Sequence, residues 1–524
     1  MRNRFITRRR KGSSTTTYYV DTAAANDNGA GTSAGTAWKT LSKVGSMTFN
    51  PGDTILLKAG CTWKYESLTV PSSGTAALPI TFGKYGSGAN PLLDLTQEYN
   101  DWASHSGAIW KRTHVSADPF QVFEDGVRMK YSADVAGMSA GSWAYVSGVM
   151  YVWASDGGNP STGHVTEYGD GFKGISVRLN GKSYLVFDGI DTTKENYAGY
   201  CTDLANSSNI VIKNCTGSWC GSRSWLIGAD PAVARTCSDI TIQNCIGHDN
   251  LDVPFWIGHG TRLYVLNCES YNNGKDVAPQ PKNYPLAGGK HYPNGILVSA
   301  DGIDCVVRSN YVHDIYNGAA IIDEYSLGVK SQGTIIERNK IDTTASAVYA
   351  LQITGTNTIV RNNWVIGGSE SIMNFANAPV TPKVYNNTFI SPSGASHSID
   401  TASQPNITIK NNIIIRAGST NRYISVAAAA KTGFVCNRNL YFGASTGRWF
   451  WGPTEYTTLA TWQAASSCDT KGQLADPKFA VANTNVHLQS SSPCIGAGES
   501  GLVTDDYDGV ARGAATDIGA FEYV

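Results

Sequence analysis

The sequence predicts an all-β chain wound into a parallel β-helix, and three observations predict it. Charged residues make up only 16% of the 524 residues, while Gly reaches 55 and hydrophobic residues 41%. Those are proportions of buried strands and tight turns, too apolar for a disordered chain. Short β-branched runs ending in Asn or Cys recur: IVIKNC at Ile210–Cys215, ITIQNC at Ile240–Cys245, YVLNC at Tyr264–Cys268 and VVRSN at Val306–Asn310. IIERN at Ile335–Asn339, IVRNN at Ile359–Asn363, KVYNN at Lys383–Asn387 and ITIKNN at Ile407–Asn412 continue the series. Aligned on their last residue they are spaced by 30, 23, 42, 29, 24, 24 and 25, a repeat length of stacked architectures. No repeat carries an amphipathic helical pattern, and each keeps a small polar or thiol residue at one turn. In coiled parallel strands such residues stack about 4.8 Å apart, so each Asn can bond the next while Cys fills the same space. A propeller blade would need about 40–45 residues and hairpin turns.

Taken in order, residues 1–17 read as a basic arm: Arg2, Arg4, Arg8, Arg9, Arg10 and Lys11 precede any acid, the first being Asp21. Gly12–Thr17 follow instead of an apolar stretch, so no secretion signal is expected. Residues 18–95 read as an N-terminal cap and first coils. Residues 96–160 break the rhythm with Trp102, Trp110, Trp143, Trp153 and turns at Asp125–Gly126 and Asp156–Gly158, the pattern of a small antiparallel insertion. Residues 161–442 hold the main solenoid, with a long loop at 272–294 inside the 42-residue interval. Residues 443–524 are expected to cap the open end. Overall charge is balanced at −1, and no run is apolar enough for a membrane helix, so neither nucleic acid nor a membrane span is expected. Eleven cysteines, none in a CxxC pair, read as buried thiols rather than a disulfide framework or zinc site.

The segments YYVD at Tyr18–Asp21, GTAWKTL at Gly35–Leu41 and NPGDTILL at Asn50–Leu57 resemble the opening coils of the pectate-lyase-like proteins. LQSSSPCIGAG at Leu488–Gly498, DGVAR at Asp508–Arg512 and DIGAFEY at Asp517–Tyr523 resemble their closing segment. The resemblance implies a right-handed coil and a carbohydrate ligand. His259 in Gly258–His259–Gly260 is similar to the GHG of polygalacturonases, whose upstream Asp pair and downstream Arg-x-Lys are absent. Glu324, Ser326, Lys330 and Ser331 loosely resemble the Glu-x-x-Ser-x-Lys-Ser segment of chondroitinase-B-type lyases, but no Arg follows in Leu351–Thr354.

Strand ends in successive coils offer a polar file of candidate catalytic groups: Asp230, His259, Asp301 and Asp323 with Glu324. Carboxylates on adjacent coils would stand about 5 Å apart and on alternate coils about 10 Å, bracketing the separations used in glycoside hydrolysis. Crowding would raise one pKa and leave the other group ionised. The bland alternative is that Asp230 and Asp301 merely close turns. His248–Asp249 and His313–Asp314 repeat at one register and read as turn residues. Lys290, His291, Tyr284 and Tyr292 on the long loop, with Tyr325 and Lys330, are the candidate substrate contacts; Trp225 and Trp256 are either sugar platforms or core. No cofactor is expected, and no residue cluster supports calcium. The expected protein is a tailspike-type depolymerase: carried on a phage virion, made in a host cytoplasm, trimeric as tailspikes commonly are, docked through residues 1–17 to a tail or baseplate protein, and hydrolysing a surface polysaccharide. The alternatives are a virion adhesin that only binds glycan and a bacterial polysaccharide lyase.

Overall fold

The computed structural model describes residues 15–524 apart from 114–118, 170–173, 203–205, 229–236, 276–292, 327–328, 344–346, 378, 419–420 and 444–446. Three long sheets run the length of the coil, with 14, 13 and 13 strands. Each turn of the chain gives one strand to each sheet in the same order, as in Ser208–Lys213, Thr216–Ser218 and Arg223–Ile227. The next coil lays Cys237–Gln243, Ile246–His248 and Phe255–Ile257 beside them in parallel register.

Alternation along each strand sends one set of side chains inward. In the third sheet the inward column runs Val177, Tyr200, Trp225, Phe255, Ile296, Ile321 and Leu351. All are fully buried, Trp225 among them, and its ring stacks on Phe255 at 4.6 Å and 2°. That stack settles Trp225 as core.

The turn between the first and second sheets is held by the repeating residue. Asn310 donates through its backbone and side-chain amides to Asn339 Oδ1 at 3.0 Å. Asn339 does the same to Asn363, Asn363 to Asn387, and Asn387 to Asn412, all at 2.9–3.0 Å. The ladder runs further than the repeats suggested, through Asn439 to Asp469, whose carboxylate also accepts from the Tyr441 hydroxyl. At the other end it gives way to Cys268, Cys245 and Cys215, all buried. The residue before each rung is left-handed, as at Asn362 and Asn411 (φ 54° and 58°), a conformation Asn tolerates well.

Both ends are covered. Leu41 and Val44, from the short helix Leu41–Ser46, lie fully buried over the first coils. At the far end Trp462 of helix Leu459–Ser466 stacks on Trp449 at 6.2 Å. The first strand is Thr17–Val20, and the Thr16 amide already donates to Asp53. The fold therefore begins slightly before the end of the basic segment. Strands within residues 97–168 form two small sheets around Trp102, Trp143, Met150 and Tyr168. The insertion is tied to the coil by buried Glu167, which accepts from Lys64 and Lys194.

The segment after Leu488 runs back along the Asn turns. Asn362, Asn386 and Asn411 donate to the carbonyls of Asp505, Asp517 and Glu499, and Arg512 donates to Asn362 Oδ1. Among the described residues no helix is long and apolar enough to cross a membrane.

Candidate active-site cleft

The outer face of the third sheet carries a cleft of about 360 Å³ where the strands Ala319–Asp323 and Tyr349–Ile353 meet. Ala319 and Ile322 form its apolar floor, Gln352 lies beside them, and Glu324 and Thr354 stand at one end. Glu324 and Thr354 are level on adjacent coils, since the Thr354 amide donates to the Asp323 carbonyl. The volume falls toward the lower end of the ~300–1,000 Å³ usual for ligand pockets.

Alternation decides what the two neighbouring acids do. Asp323 stands in the inward column between Val298 and Ile353 and has no solvent exposure. Its carboxylate accepts from the Ser331 and Thr358 hydroxyls, and burial lifts its pKa to about 6. A glycan cannot reach it, so Asp323 leaves the expected catalytic file as a core residue. Glu324, one position on, faces out and lines the cleft. Burial raises its pKa, Arg223 lowers it, Asp252 raises it, and a hydrogen bond from Ser299 lowers it.

Arg223 and Asp252 were not legible as site residues. Arg223 opens the strand Arg223–Ile227, and Asp252 sits in the turn before Phe255–Ile257. Both are nearly buried, with Arg223 Nη2 4.0 Å from Asp252 Oδ2. Burial pushes Asp252 up to about 6 against the pull of Arg223. The guanidinium also lies over the Trp256 ring, 5.4 Å from its centroid. The only signal in the sequence was an Arg at the head of the largely apolar strand RSWLI.

His259 and Asp301 are level on adjacent coils: the His259 amide donates to the Ala300 carbonyl, and His259 Nδ1 lies 3.7 Å from Asp301 Oδ2. His259 is buried beside Trp256, while the Asp301 side chain is 49% exposed. Thr354 stands level with Glu324, so the described members of the expected file fall into two groups, His259 with Asp301 and Glu324 with Thr354. Lys330 is partly buried in a two-stranded hairpin opposite Tyr325 and does not line the cleft. Ser331 donates inward to Asp323, so the lyase-like segment does not assemble on the outer face. Asp230, Tyr284, Lys290, His291 and Tyr292 lie outside the described residues, as does the Tyr325 side chain. His248 and His313 are not mere turn residues: with Tyr271 they stack on the outer face of the second sheet, at 4.9 and 5.2 Å. Among the described residues no three His, Cys, Asp or Glu side chains gather in a way that could hold a metal ion.

Residues 172–331 match the family model described as "Right handed beta helix region". The coil is a right-handed parallel β-helix. No curated protein matches the chain in sequence. The solved structure of XylC in complex with xylose superposes with a TM-score of 0.64 at 12% identity, covering 97% of this chain and 98% of that one. A structure described as a glycoside hydrolase gives 0.50 at 12% identity over 82% and 97% of the two chains. Pectate lyase Pel9A gives 0.48 at 17% identity over 98% of each. At these identities the likeness is one of fold.

Proposed function

We propose that this β-helix hydrolyses a glycosidic bond in the third-sheet cleft, with Glu324 as proton donor and Asp301 as the second carboxylate. The observation that carries it is Glu324 itself: a cleft-lining carboxyl whose pKa burial raises, with the half-exposed Asp301 carboxylate in the turn that follows the third-sheet strand Ile296–Val298 one coil earlier. A carboxyl whose pKa is raised holds its proton to higher pH and can give it to the leaving oxygen as the bond breaks. Asp301 then either attacks the anomeric carbon or activates the water that does. His259 beside it fixes the orientation of that carboxylate. Arg223 and Asp252 act on Glu324 through charge and are positioning residues. The fold shared with XylC bound to xylose and with a glycoside hydrolase supports a carbohydrate substrate.

Elimination would need a base beside a uronate, and the candidate lysine stands outside the cleft lining. Incubation with host polysaccharides separates the reactions. New reducing ends without absorbance near 235 nm are expected; reducing ends together with that absorbance would mean a lyase. Firm retention without any cleavage would mean an adhesin.

The virion placement rests on the block of six cations before Gly12. We propose that this arm docks the solenoid, as a trimer, to an acidic tail surface. Deleting residues 1–14 should leave the melting temperature unchanged and weaken particle incorporation in a salt-dependent way. Normal assembly of the truncated chain would reduce the arm to a tail.

A further inference from the structure

The geometry points to an uncharged glycan as the occupant of the third-sheet cleft, an inference that rests on reading the cleft as a saccharide site. Asn317, Gln352 and Asn377 bring amides to its lining and Tyr349 a hydroxyl, beside Asn294, whose Oδ1 accepts from the Ala319 amide, and Thr354, whose hydroxyl donates to the Asp323 carbonyl. An amide both donates and accepts, as a sugar hydroxyl does, so such a wall matches hydroxyls without needing a charge on the ligand. Glu324 is the one charged side chain among the described lining residues. The Tyr349 hydroxyl reaches out to Glu370 at 3.2 Å, so a second carboxylate stands just beyond the rim.

Arg223 is the cation that acts on Glu324, and it already faces Asp252 at 4.0 Å. Among the described residues, one cation against two acids leaves no surplus positive charge for a ligand carboxylate. A polyuronate carries such a group on every ring, and each would meet Glu324 and Glu370 across a partly desolvated wall. A neutral ring has no such conflict and can lay its C–H face on Ala319 and Ile322.

The test is calorimetric titration of the full-length Glu324→Gln variant. The probes are xylohexaose, cellohexaose, mannohexaose, hexagalacturonate and hexamannuronate. Removing the Glu324 charge favours the uronates, so their failure to bind is the more telling result. Binding of a neutral hexaose is expected, weakened about tenfold when Gln352→Ala is added to a chain that melts normally. Uronate binding that Gln352→Ala weakens would overturn the neutral class and leave the cleft a glycan site. Neutral binding indifferent to Gln352→Ala would place the ligand elsewhere and overturn the inference. No binding by any hexaose, with no cleavage by the wild type, would remove the saccharide reading and this inference together.

Discussion

The inner and outer faces of the third sheet treat two adjacent acids in opposite ways. Asp323 and Glu324 are both shifted upward, and burial is the largest cause in each. Inside, Asp323 replaces an aliphatic of its column and is held by hydroxyls of its own and the next coil, Ser331 and Thr358. Outside, Glu324 is balanced between a cation and an acid, with open cleft before it. The same shift bears on stability on one face and, on the proposed mechanism, on acid catalysis on the other. What separates the two is one step of strand alternation.

That contrast can be broken most sharply from outside. Glu324→Gln should lower cleavage by about 10²–10⁴-fold while the melting temperature stays put. Residual activity within tenfold of wild type would remove Glu324 as the acid. From inside, Asp323→Val restores the column but strands two hydroxyls, and should destabilise by about 1–3 kcal/mol without the same loss of turnover. The pH dependence is specific. Because burial lifts Asp323 to about 6 from 3.8, its contribution is full below 3.8 and is lost as pH rises through about 6. Denaturant midpoints should therefore show a larger penalty for Asp323→Val at pH 5 than at pH 7.5, and equal penalties would sink the account.

Asn339→Leu or Asn363→Leu should also cost about 1–3 kcal/mol in denaturant unfolding, since each severs bonds to both neighbouring coils. A subtler effect separates Asp252 from Arg223. Glu324 acts as an acid only while protonated, so activity falls as pH rises through its pKa. Asp252→Asn removes a charge that raises that pKa and should move the alkaline limb of the pH–rate profile to lower pH. Arg223→Gln removes one that lowers it and should move the limb to higher pH. Shifts in the same direction would contradict the electrostatic assignment. Smallest of all, Cys245→Ser should change stability by less than about 1 kcal/mol, because a hydroxyl can take over the thiol's bond to the Gln243 carbonyl.

Much of the architecture was written in the Asn and Cys register, because a stacked rung must recur once per coil whatever the loops between do. The same signature was present in VCNRN at Val435–Asn439, which the structure adds to the ladder. Glu324 was legible as an acid following an apolar strand. The facing of Asp323 was not, since loops of unequal length displace any count along the chain. Arg223 and Asp252 escaped for a related reason: neither lies on a repeated register, and only the coiling brings both to bear on a carboxyl some 70 to 100 residues away. The path of the final segment over Asn362, Asn386 and Asn411 carries no local signal at all.

That final segment sets an order of events during synthesis. Coils can stack on their predecessors as they leave the ribosome, the Asn rungs finding their acceptors within 24 to 30 residues, as Asn387 finds Asn412 25 residues on. The partners of Asn362 and Asn386 arrive 143 and 131 residues later. Until then one edge of the growing rod stays wet, its side-chain amides turned to water. A stretch translated 88 to 143 residues later thus seals a seam left open by earlier coils, and a ribosome that stalls before Glu499 would release a rod wound but not closed.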